Sequence, residues 1–234
     1  MKNLIKKVIS VVLTHKMKIY LFKVLAFINK KTYSFMTNLS ILIEGNQEHP
    51  KHRIMKYKEW FATNLDKNWI VIDIGCHNGH MTHFLSRYCK FIYGLELSKE
   101  NINTAIKNYS TKNVEFIHAD ATLYDYSGKV INCVTLSNVL EHIENRKSFL
   151  EKIIANINWA HKPLLLIRVP MIDRDWMVLY HEQLGLDYRL DSTHFTEYTL
   201  KSFEEELEDC NIFIESYHVQ WGEIYAKCST RIDS

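Results

Sequence analysis

The sequence predicts an α/β protein in which a mostly parallel sheet carries helices on both faces. Three observations predict this class: short apolar runs of strand length recur along the chain, helical segments separate them, and a glycine turn follows the first run. Continuous apolar runs are typical of strands buried on both faces, as in parallel sheets. Ligands of such sheets bind beyond the carboxyl ends of the strands, so the functional residues are expected there.

Residues 70–79, I-V-I-D-I-G-C-H-N-G, form the most informative stretch of the chain. An apolar run containing Asp73 is followed by a turn with Gly75 and Gly79, which let the backbone bend tightly and approach a ligand. The turn lacks the G-x-G-x-x-G spacing of dinucleotide-binding proteins. This lack disfavours an NAD-linked oxidoreductase, as does the absence of a suitably placed Tyr-x-x-x-Lys dyad. The stretch therefore predicts a nucleotide-type cofactor site whose identity depends on the next strands.

The second and third strands are predicted at residues 91–97 and 114–118, and both end beside an acid. Glu96 lies near the end of the second strand, and Ala119-Asp120-Ala121 follows the third. An acid at the end of the second strand can accept hydrogen bonds from both hydroxyls of a ribose. The two ends together predict a nucleoside-binding edge.

The fourth strand is predicted at residues 130–136 and continues into S-N-V-L-E-H-I at 137–143. Together with the acid and glycine turn of residues 70–79, Glu96 and the A-D-A turn, this phrase resembles the class I S-adenosylmethionine (SAM)-dependent methyltransferases. The resemblance implies their Rossmann-like seven-stranded sheet, mostly parallel with an antiparallel C-terminal hairpin and helices on both faces. It implies SAM as cofactor and S-adenosylhomocysteine (SAH) as product. His77 departs from the family pattern, which has glycine there.

The resemblance also implies which residues bind SAM. Glu96 corresponds to the acid that binds the ribose, and Asp120 to the aspartate that accepts from the adenine amino group. Arg53, in the segment before the first strand, is a candidate to hold the methionine carboxylate. The predicted cofactor-binding residues are Asp73, Gly75, Cys76, Gly79, Glu96, Leu97, Asp120, Ala121, Ser137, Asn138 and Arg53.

Substrate recognition is expected after the fifth strand and in an inserted segment. The fifth strand is predicted at residues 163–169, and Arg168 interrupts its apolar run, so it needs a carboxylate partner or an anionic ligand. The insertion at residues 186–198 is where related enzymes contact the acceptor. A helix at 199–211 and two antiparallel strands at 212–219 and 223–228 close the chain. The predicted substrate-binding residues are Arg168, Asp173, Arg174, Trp176, Tyr188, Arg189 and Glu197.

Methyl transfer to a hydroxyl needs alignment of the acceptor and a base that removes its proton. His194 and His142 are the candidate bases, and a carboxylate on the far ring nitrogen would fix the tautomer, so Asp191 is included with them. His194 is preferred because it lies in the insertion. Asp173, Asp175 and Asp191 with His194 have no spacing diagnostic of a metal centre. The sequence therefore predicts no metal site.

The N-terminal segment has a charge and pattern of its own. Residues 1–43 contain eight lysines and no acid, which gives +8 there and −6 for the rest of the chain, since the net charge is +2. Apolar residues from Leu4 to Leu13 recur at helical spacing, which is typical of basic amphipathic helices. We predict a helical segment at 1–45 that caps the domain or contacts a membrane surface, and a methyltransferase domain at 46–234. Lysines interrupt the apolar runs too often for a transmembrane helix.

The composition predicts a cytoplasmic enzyme, with the inner face of the membrane as a possible site of action. Five scattered cysteines without C-x-x-C spacing indicate core thiols in a reducing compartment. The polar candidate residues favour a hydroxylated, sugar-containing small molecule over nucleic acid as substrate. The sequence does not distinguish a monomer from a homodimer. The preferred function is O-methylation of a sugar or glycan precursor, as in bacterial surface-glycan methyltransferases. The alternatives are N-methylation of a small polar metabolite and a non-catalytic SAM-binding regulatory subunit.

Overall fold

The computed structural model describes residues 13–45 and 49–230, in two compact units, Met1–Lys56 and Tyr57–Ser234. The first unit contains helix α1 (His15–Glu44) and the short helix α2 (Lys51–Met55). Thr14 caps α1 by accepting from the Met17 N–H, and Gly45 ends it at φ 73°. No residue of α1 is buried. The predicted apolar pattern from Leu4 to Val12 lies outside the described residues.

The second unit is built on a seven-stranded sheet in the order β3-β2-β1-β5-β7-β9-β8. Its strands pair in parallel except at β9, which pairs antiparallel with both β7 and β8. The predicted mostly parallel sheet with an antiparallel C-terminal hairpin is therefore confirmed. The strands are β1 (Ile70–Ile74), β2 (Phe91–Glu96), β3 (Val114–His118), β5 (Cys133–Ser137), β7 (Leu164–Pro170), β8 (Ile212–Gln220) and β9 (Glu223–Thr230).

The strand predicted at residues 130–136 is interrupted at Asn132, and only the part that follows Asn132 belongs to the seven-stranded sheet. The Asn132 N–H donates to the Ile70 carbonyl at 2.8 Å, and its side-chain Oδ1 accepts from the Ile70 N–H at 2.8 Å. These two bonds occupy both backbone groups of Ile70. Residues 130 and 131 instead form β4 (Val130–Ile131), which pairs with β6 (Asn158–Trp159) in a separate two-stranded sheet.

The helices of the second unit alternate with the strands as predicted, with one addition. Helix α7 follows β7 and was not predicted. Lys56 adopts φ 51° and ends α2 before α3 begins. The helices are α3 (Tyr57–Thr63), α4 (His80–Leu85), α5 (Lys99–Tyr109), α6 (Arg146–Asn156), α7 (Trp176–Gln183) and α8 (Leu200–Glu208).

The core lies where the central strands meet these helices. Ile72, Leu136 and Ile167, from three adjacent strands, are fully buried, and Phe149 of α6 and Phe203 of α8 cover them. The five cysteines are buried and unpaired, as expected of core thiols. Among residues 13–45 and 49–230, no helix has an apolar stretch long enough to span a bilayer. The strand order reverses between β1 and β5, and this switch point is where parallel sheets bind ligands.

Candidate cofactor and active site

The loop after β1 turns through three residues with positive φ, Gly75 at 72°, His77 at 47° and Gly79 at 81°. A Cβ at Gly75 would lie 2.6 Å from Val139, and one at Gly79 would lie 2.7 Å from the Phe116 ring. Both glycines are therefore required by close packing as well as by φ. His77 is exposed and adopts the left-handed conformation that its glycine counterpart would adopt. The loop keeps its shape despite this departure from the family pattern.

Asp73 positions this loop from inside the protein. Its side chain is buried, and its two oxygens accept hydrogen bonds from the hydroxyls of Thr82 at 2.6 Å and Thr135 at 2.7 Å. These bonds join β1 to α4 and β5. Burial raises the pKa of Asp73 to about 6, although the two hydroxyl bonds favour the ionised form. These bonds give Asp73 a positioning role, and its predicted contact with the cofactor stays a prediction.

We expect the stability of the domain to fall as the pH rises through the titration of Asp73. The folded-state pKa, about 6, is above the reference value of 3.8, so between these values the folded state holds a proton that the unfolded state has released. Relative to the Asp73→Asn variant, the wild type should lose about 2–3 kcal/mol of unfolding free energy between about pH 4 and pH 7. Urea unfolding across this range measures the difference. The exposed control Asp209→Asn should show no such trend, and a flat Asp73→Asn difference would contradict the prediction.

Glu96, at the end of β2, connects the cofactor loop to the next turn. Its carboxylate accepts from the backbone N–H groups of His77 at 3.0 Å and Ser98 at 2.8 Å, one on each oxygen. A carboxylate oxygen has further lone pairs, so these bonds leave capacity for the hydroxyls of a ribose. The donor set therefore fits the nucleoside-binding role that the sequence predicts for Glu96.

Asp120 and Ala121 form the next turn along the same edge. Asp120 is half-buried, and Oδ1 accepts from both the N–H of Thr122 at 2.8 Å and its hydroxyl at 2.7 Å. The Ala121 carbonyl accepts from the Tyr126 hydroxyl at 2.8 Å. Leu97, at the end of β2, is 67% exposed. These contacts fix the A-D-A turn beside the end of β2, where an adenine is expected.

The end of β7 carries a buried ion pair rather than a free arginine. Arg168 is 4% exposed, and Nε and Nη2 donate to the two oxygens of Glu223, at 2.5 and 3.0 Å. Its Nη1 donates to the Ser137 hydroxyl at 3.2 Å, and the Tyr57 ring lies 4.1 Å from the guanidinium carbon. Burial raises the pKa of Tyr57 to about 12. The carboxylate partner that Arg168 requires is Glu223 on β9, so the prediction that Arg168 binds substrate is corrected.

Asn138 links this pair to the cofactor edge. It adopts φ 55°, and its N–H donates to the Arg168 carbonyl at 2.8 Å. Its amide nitrogen donates to Glu223 at 3.4 Å. Its side-chain oxygen is buried without a hydrogen-bond partner among residues 13–45 and 49–230. An unpaired buried acceptor at a strand end of the switch point is typical of a ligand-binding position.

Two histidines meet beyond the end of β5. A 3₁₀ turn, Leu140–His142, follows that strand, and the segment after α7 places His194 against it. The imidazole centroids of His142 and His194 lie 4.7 Å apart with the ring planes at 81°. The Phe195 N–H donates to the Glu141 carbonyl at 2.7 Å and ties the segment to the turn. The structure thus brings the two predicted bases into one cluster.

The hydrogen bonds of each imidazole indicate its tautomer. Thr193 donates its hydroxyl to Asp191 at 2.8 Å, so it accepts from His142 Nδ1, 2.9 Å away. His194 Nδ1 lies 2.9 Å from Glu197, an acid that can only accept when ionised. Both Nδ1 atoms therefore carry a proton, and in the neutral form of each ring Nε2 carries the lone pair. Burial and the neighbouring His194 lower the pKa of His142, which favours the neutral ring at neutral pH.

Glu141 completes the cluster as a buried acid without a partner. It is fully buried, and neither of its oxygens has a hydrogen-bond partner within the described part of the chain. Burial raises its pKa to about 8, so the carboxyl is neutral at neutral pH when no cation is beside it. One ligand-capable atom from each of Glu141, His142 and His194 lies within 4.8 Å of the other two.

The charged residues of the insertion hold the segment itself. Burial alone would raise the pKa of Glu197, but hydrogen bonds from His194, the Leu190 N–H and Arg174 outweigh it and keep that pKa below its usual value. Arg174 also donates to the carbonyls of Met171 at 2.6 Å and Tyr188 at 2.9 Å. Glu197 and Arg174 therefore position the segment, and their predicted contact with substrate stays a prediction.

The remaining predicted substrate-binding residues are Arg189, Asp173, Trp176 and Tyr188. Arg189 donates to Asp187 at 3.0 Å and to the His194 carbonyl at 3.0 Å, so it also braces the segment. Asp173 is exposed, and Trp176 is 71% exposed beside Tyr180. Tyr188 is half-buried. Asp173, Tyr188 and Trp176 keep their predicted contact with substrate as a prediction.

Arg53 lies in the other unit. Its guanidinium pairs with Glu44 at 2.7 Å, and its side chain is 68% exposed. Its predicted contact with the methionine carboxylate of SAM stays a prediction.

Sequence reasoning missed Glu141, Thr193 and Glu223. Glu141 stands inside the S-N-V-L-E-H-I phrase, where an acid next to a buried run was the available signal. Arg168 required an acid, but 55 residues separate it from Glu223, and only strand pairing shows which acid it meets. Thr193 carries no signal of its own in the sequence.

Comparisons with known proteins identify the family of the domain. Residues 46–216 match a family model described as "Methyltransferase domain". The chain is 31% identical over 120 residues to the ribosomal RNA small subunit methyltransferase A of Mesomycoplasma hyopneumoniae, covering 51% of this chain and 45% of that protein. It is 32% identical over 101 residues to the probable cobalt-precorrin-6B C(15)-methyltransferase (decarboxylating) of Methanococcus maripaludis, covering 40% of this chain and 55% of that protein.

The chain spans about half the length of these two curated relatives, and their names state different acceptors, RNA and a precorrin. A solved structure with the same fold is magnesium protoporphyrin IX methyltransferase from Synechocystis PCC 6803 with bound SAH. Its TM-score is 0.58 at 14% identity, covering 77% of this chain and 83% of that one. This likeness concerns the fold alone.

Proposed function

We propose, since this chain belongs to the SAM-dependent methyltransferases, that it transfers the methyl group of SAM to a hydroxyl of a sugar or glycan precursor. The observation that carries the proposal is the pair of imidazoles with proton-free Nε2 atoms beyond the end of β5. A hydroxyl acceptor needs such a proton acceptor, whereas an amine supplied neutral does not.

The cofactor of this family is SAM, and the residues of the first three strand ends fit it. Bound SAM supplies an electrophilic methyl group on a sulfonium. Glu96 would hold the ribose hydroxyls, and Asp120 with the Ala121 backbone would hold the adenine. Asp73 positions the glycine loop by accepting a hydrogen bond from Thr82 of α4, the helix that follows the loop. The protein's own task is then to align the acceptor and accept its proton.

The proposed base is His194, with His142 beside it. Glu197 orients His194 from behind and keeps the proton on Nδ1, so Nε2 can take the acceptor's proton. Asp191 acts on His142 through the Thr193 hydroxyl in the same way. His194 is 5% exposed, so bulk water has little access to its ring.

A sugar is the proposed acceptor because exposed aromatic rings lie on α7, the helix that follows β7 in the chain. The Trp176 and Tyr180 ring centroids are 6.4 Å apart on α7, and such rings stack on sugars. Arg168 and Arg174 are already paired with acids of the protein, so they supply no charge for a phosphate. A neutral hydroxylated sugar therefore fits better than a phosphorylated one.

The test of this function is a methyl-transfer assay with radiolabelled SAM and a panel of acceptors. The panel contains free and nucleotide-linked sugars, small polar amines and ribosomal RNA. Transfer to a sugar hydroxyl supports the proposal, whereas transfer only to an amine, a thiol or RNA overturns the acceptor. SAM binding by calorimetry without any transfer would favour the regulatory-subunit alternative. NAD binding instead of SAM binding would contradict the cofactor.

We also propose that α1 binds an anionic membrane surface, which would place the enzyme at the inner face of the membrane. The helix carries five lysines, and large apolar side chains such as Phe27, Phe35 and Leu42 are 63%, 70% and 75% exposed on it. Exposed apolar side chains between lysines are typical of helices that lie in the headgroup region of anionic lipids.

The full-length protein is expected to co-sediment with phosphatidylglycerol-containing vesicles but not with phosphatidylcholine vesicles. Lys16→Glu/Lys23→Glu should weaken this binding about tenfold or more, since each lysine near an anionic surface contributes about 1 kcal/mol. Lys99→Glu/Lys107→Glu on α5 makes the same charge change and should have little effect. Equal losses in both variants would show that net charge alone, rather than α1, drives the binding.

A further inference from the structure

We propose that Glu141, His142 and His194 bind a divalent transition-metal ion. One ligand-capable atom of each residue lies within 4.8 Å of the other two, so small side-chain adjustments would bring all three within bonding distance, about 2.0–2.2 Å, of one ion. The three residues come from the turn after β5 and from the segment after α7, and the Phe195–Glu141 backbone bond holds these two elements together. The sequence predicted no metal site, so this proposal departs from that prediction.

The carboxylate of Glu141 is the independent observation that points to a ligand. The side chain is fully buried, yet neither oxygen has a hydrogen-bond partner among residues 13–45 and 49–230. Buried carboxyl groups are ordinarily hydrogen-bonded, paired with a cation or bound to a metal. Arg168 is also buried, but its two outer guanidinium nitrogens already donate to Ser137 and Glu223.

The two imidazoles are oriented as metal ligands are. A ligating histidine generally donates its other ring N–H to a carboxylate or to a group held by one, which fixes the ring and raises its basicity. His194 Nδ1 has Glu197 at 2.9 Å. His142 Nδ1 has the Thr193 hydroxyl at 2.9 Å, and that hydroxyl donates to Asp191. Both Nε2 atoms are left for an ion, with an acid behind each ring.

The donor set selects the kind of ion. Two imidazoles and one carboxylate suit Zn²⁺, Co²⁺, Mn²⁺ or Fe²⁺, whereas Mg²⁺ prefers oxygen ligands and retains its water. Three protein ligands leave at least one coordination position open. Resting on the proposed function, that position would take the acceptor hydroxyl, and the ion would lower the pKa of that hydroxyl so that its proton is released to water. His194 would then act as a metal ligand instead of as the base.

Metal binding is tested directly on the full chain, without reference to turnover. After removal of bound metal, Co²⁺ is titrated while its visible ligand-field spectrum is followed, and Zn²⁺ is then added as a competitor. We expect one Co²⁺ per chain, a tetrahedral-type or five-coordinate spectrum, and displacement by Zn²⁺. Failure of the folded protein to bind either ion, or binding of Mg²⁺ in preference to both, would overturn the proposal.

Variants locate the ion. His142→Ala/His194→Ala should abolish the Co²⁺ spectrum, and Glu141→Gln, which keeps the volume of the buried side chain, should weaken binding at least tenfold. Thr193→Val should weaken it about 10- to 100-fold through the orientation of His142. The exposed His161→Ala is the matched control and should bind like the wild type. Unchanged binding in the double variant, with folding verified by circular dichroism, would place the ion elsewhere and overturn the proposal.

A methyl-transfer assay run in parallel separates this proposal from the proposed function. Metal binding without transfer to any acceptor would leave the site intact and contradict only the function. Sugar methylation by a protein that binds no metal would support the function and overturn the metal site.

Discussion

Replacing Glu223 with glutamine is expected to destabilise the second unit by about 3–5 kcal/mol. The substitution leaves Arg168 buried without a counter-charge, since its guanidinium donates to both Glu223 oxygens, at 2.5 and 3.0 Å. A typical domain is stable by about 5–15 kcal/mol, so this loss is a large fraction of the total. Urea unfolding followed by circular dichroism measures it.

The chain offers a matched control for this prediction in Glu215. Its side chain is 38% exposed and lies 3.3 Å from Lys162, so Glu215→Gln should cost less than about 1 kcal/mol. Arg168→Met/Glu223→Leu removes both buried charges and should be more stable than Glu223→Gln alone. Equal unfolding midpoints for Glu223→Gln and Glu215→Gln would show that the buried Arg168–Glu223 pair stabilises the unit no more than the exposed Lys162–Glu215 pair does.

Replacing His194 with alanine is expected to lower kcat by about 10²- to 10⁴-fold at saturating SAM, because the residue acts on the acceptor hydroxyl. The SAM dissociation constant should change little, since the residues expected to hold the ribose and the adenine are Glu96, which ends β2, and Asp120, which follows β3, rather than residues after β5. Steady-state methyl transfer to the acceptor found in the panel assay measures kcat, and calorimetry measures the SAM dissociation constant.

His161→Ala is the control for this variant as well, because it removes an exposed imidazole away from the cluster. It should turn over like the wild type. Near-normal turnover of His194→Ala at saturating SAM would remove His194 from the mechanism and shift the role to His142. A large loss of SAM affinity would instead indicate that the insertion contacts the cofactor.

Much of the fold could be predicted because buried strands and glycine turns are local signals. The apolar runs and the acids that follow them located the sheet, and the resemblance supplied its order and its antiparallel hairpin. The break at Asn132 could not be predicted, because it depends on hydrogen bonds to Ile70, 62 residues earlier in the chain. The break at Lys56 depends on a single residue with φ 51°, which the helical pattern does not reveal.

The sequence identified many residues of the candidate site, but it did not show what each of them contacts. Charge and insertion suggested that Arg168, Arg174 and Glu197 contact substrate. In the structure Arg168 and Glu197 are buried and Arg174 is half-buried, and each pairs with an oppositely charged group of the protein, since a charged group removed from water needs one. His142 and His194, 52 residues apart, were considered separately as alternative bases, and only folding shows that they share one cluster.

By itself, the sequence determined the reaction class. The glycine turn, the acids at two strand ends and the S-N-V-L-E-H-I phrase are short-range patterns that backbone geometry and cofactor chemistry require. The tertiary structure decided which acids and bases meet: Glu223 on Arg168, Glu197 on His194, and Glu141 buried beside two imidazoles. The physical reason is that pairing of buried charges depends on distance in space, and strand pairing with long insertions brings together residues that the sequence keeps far apart.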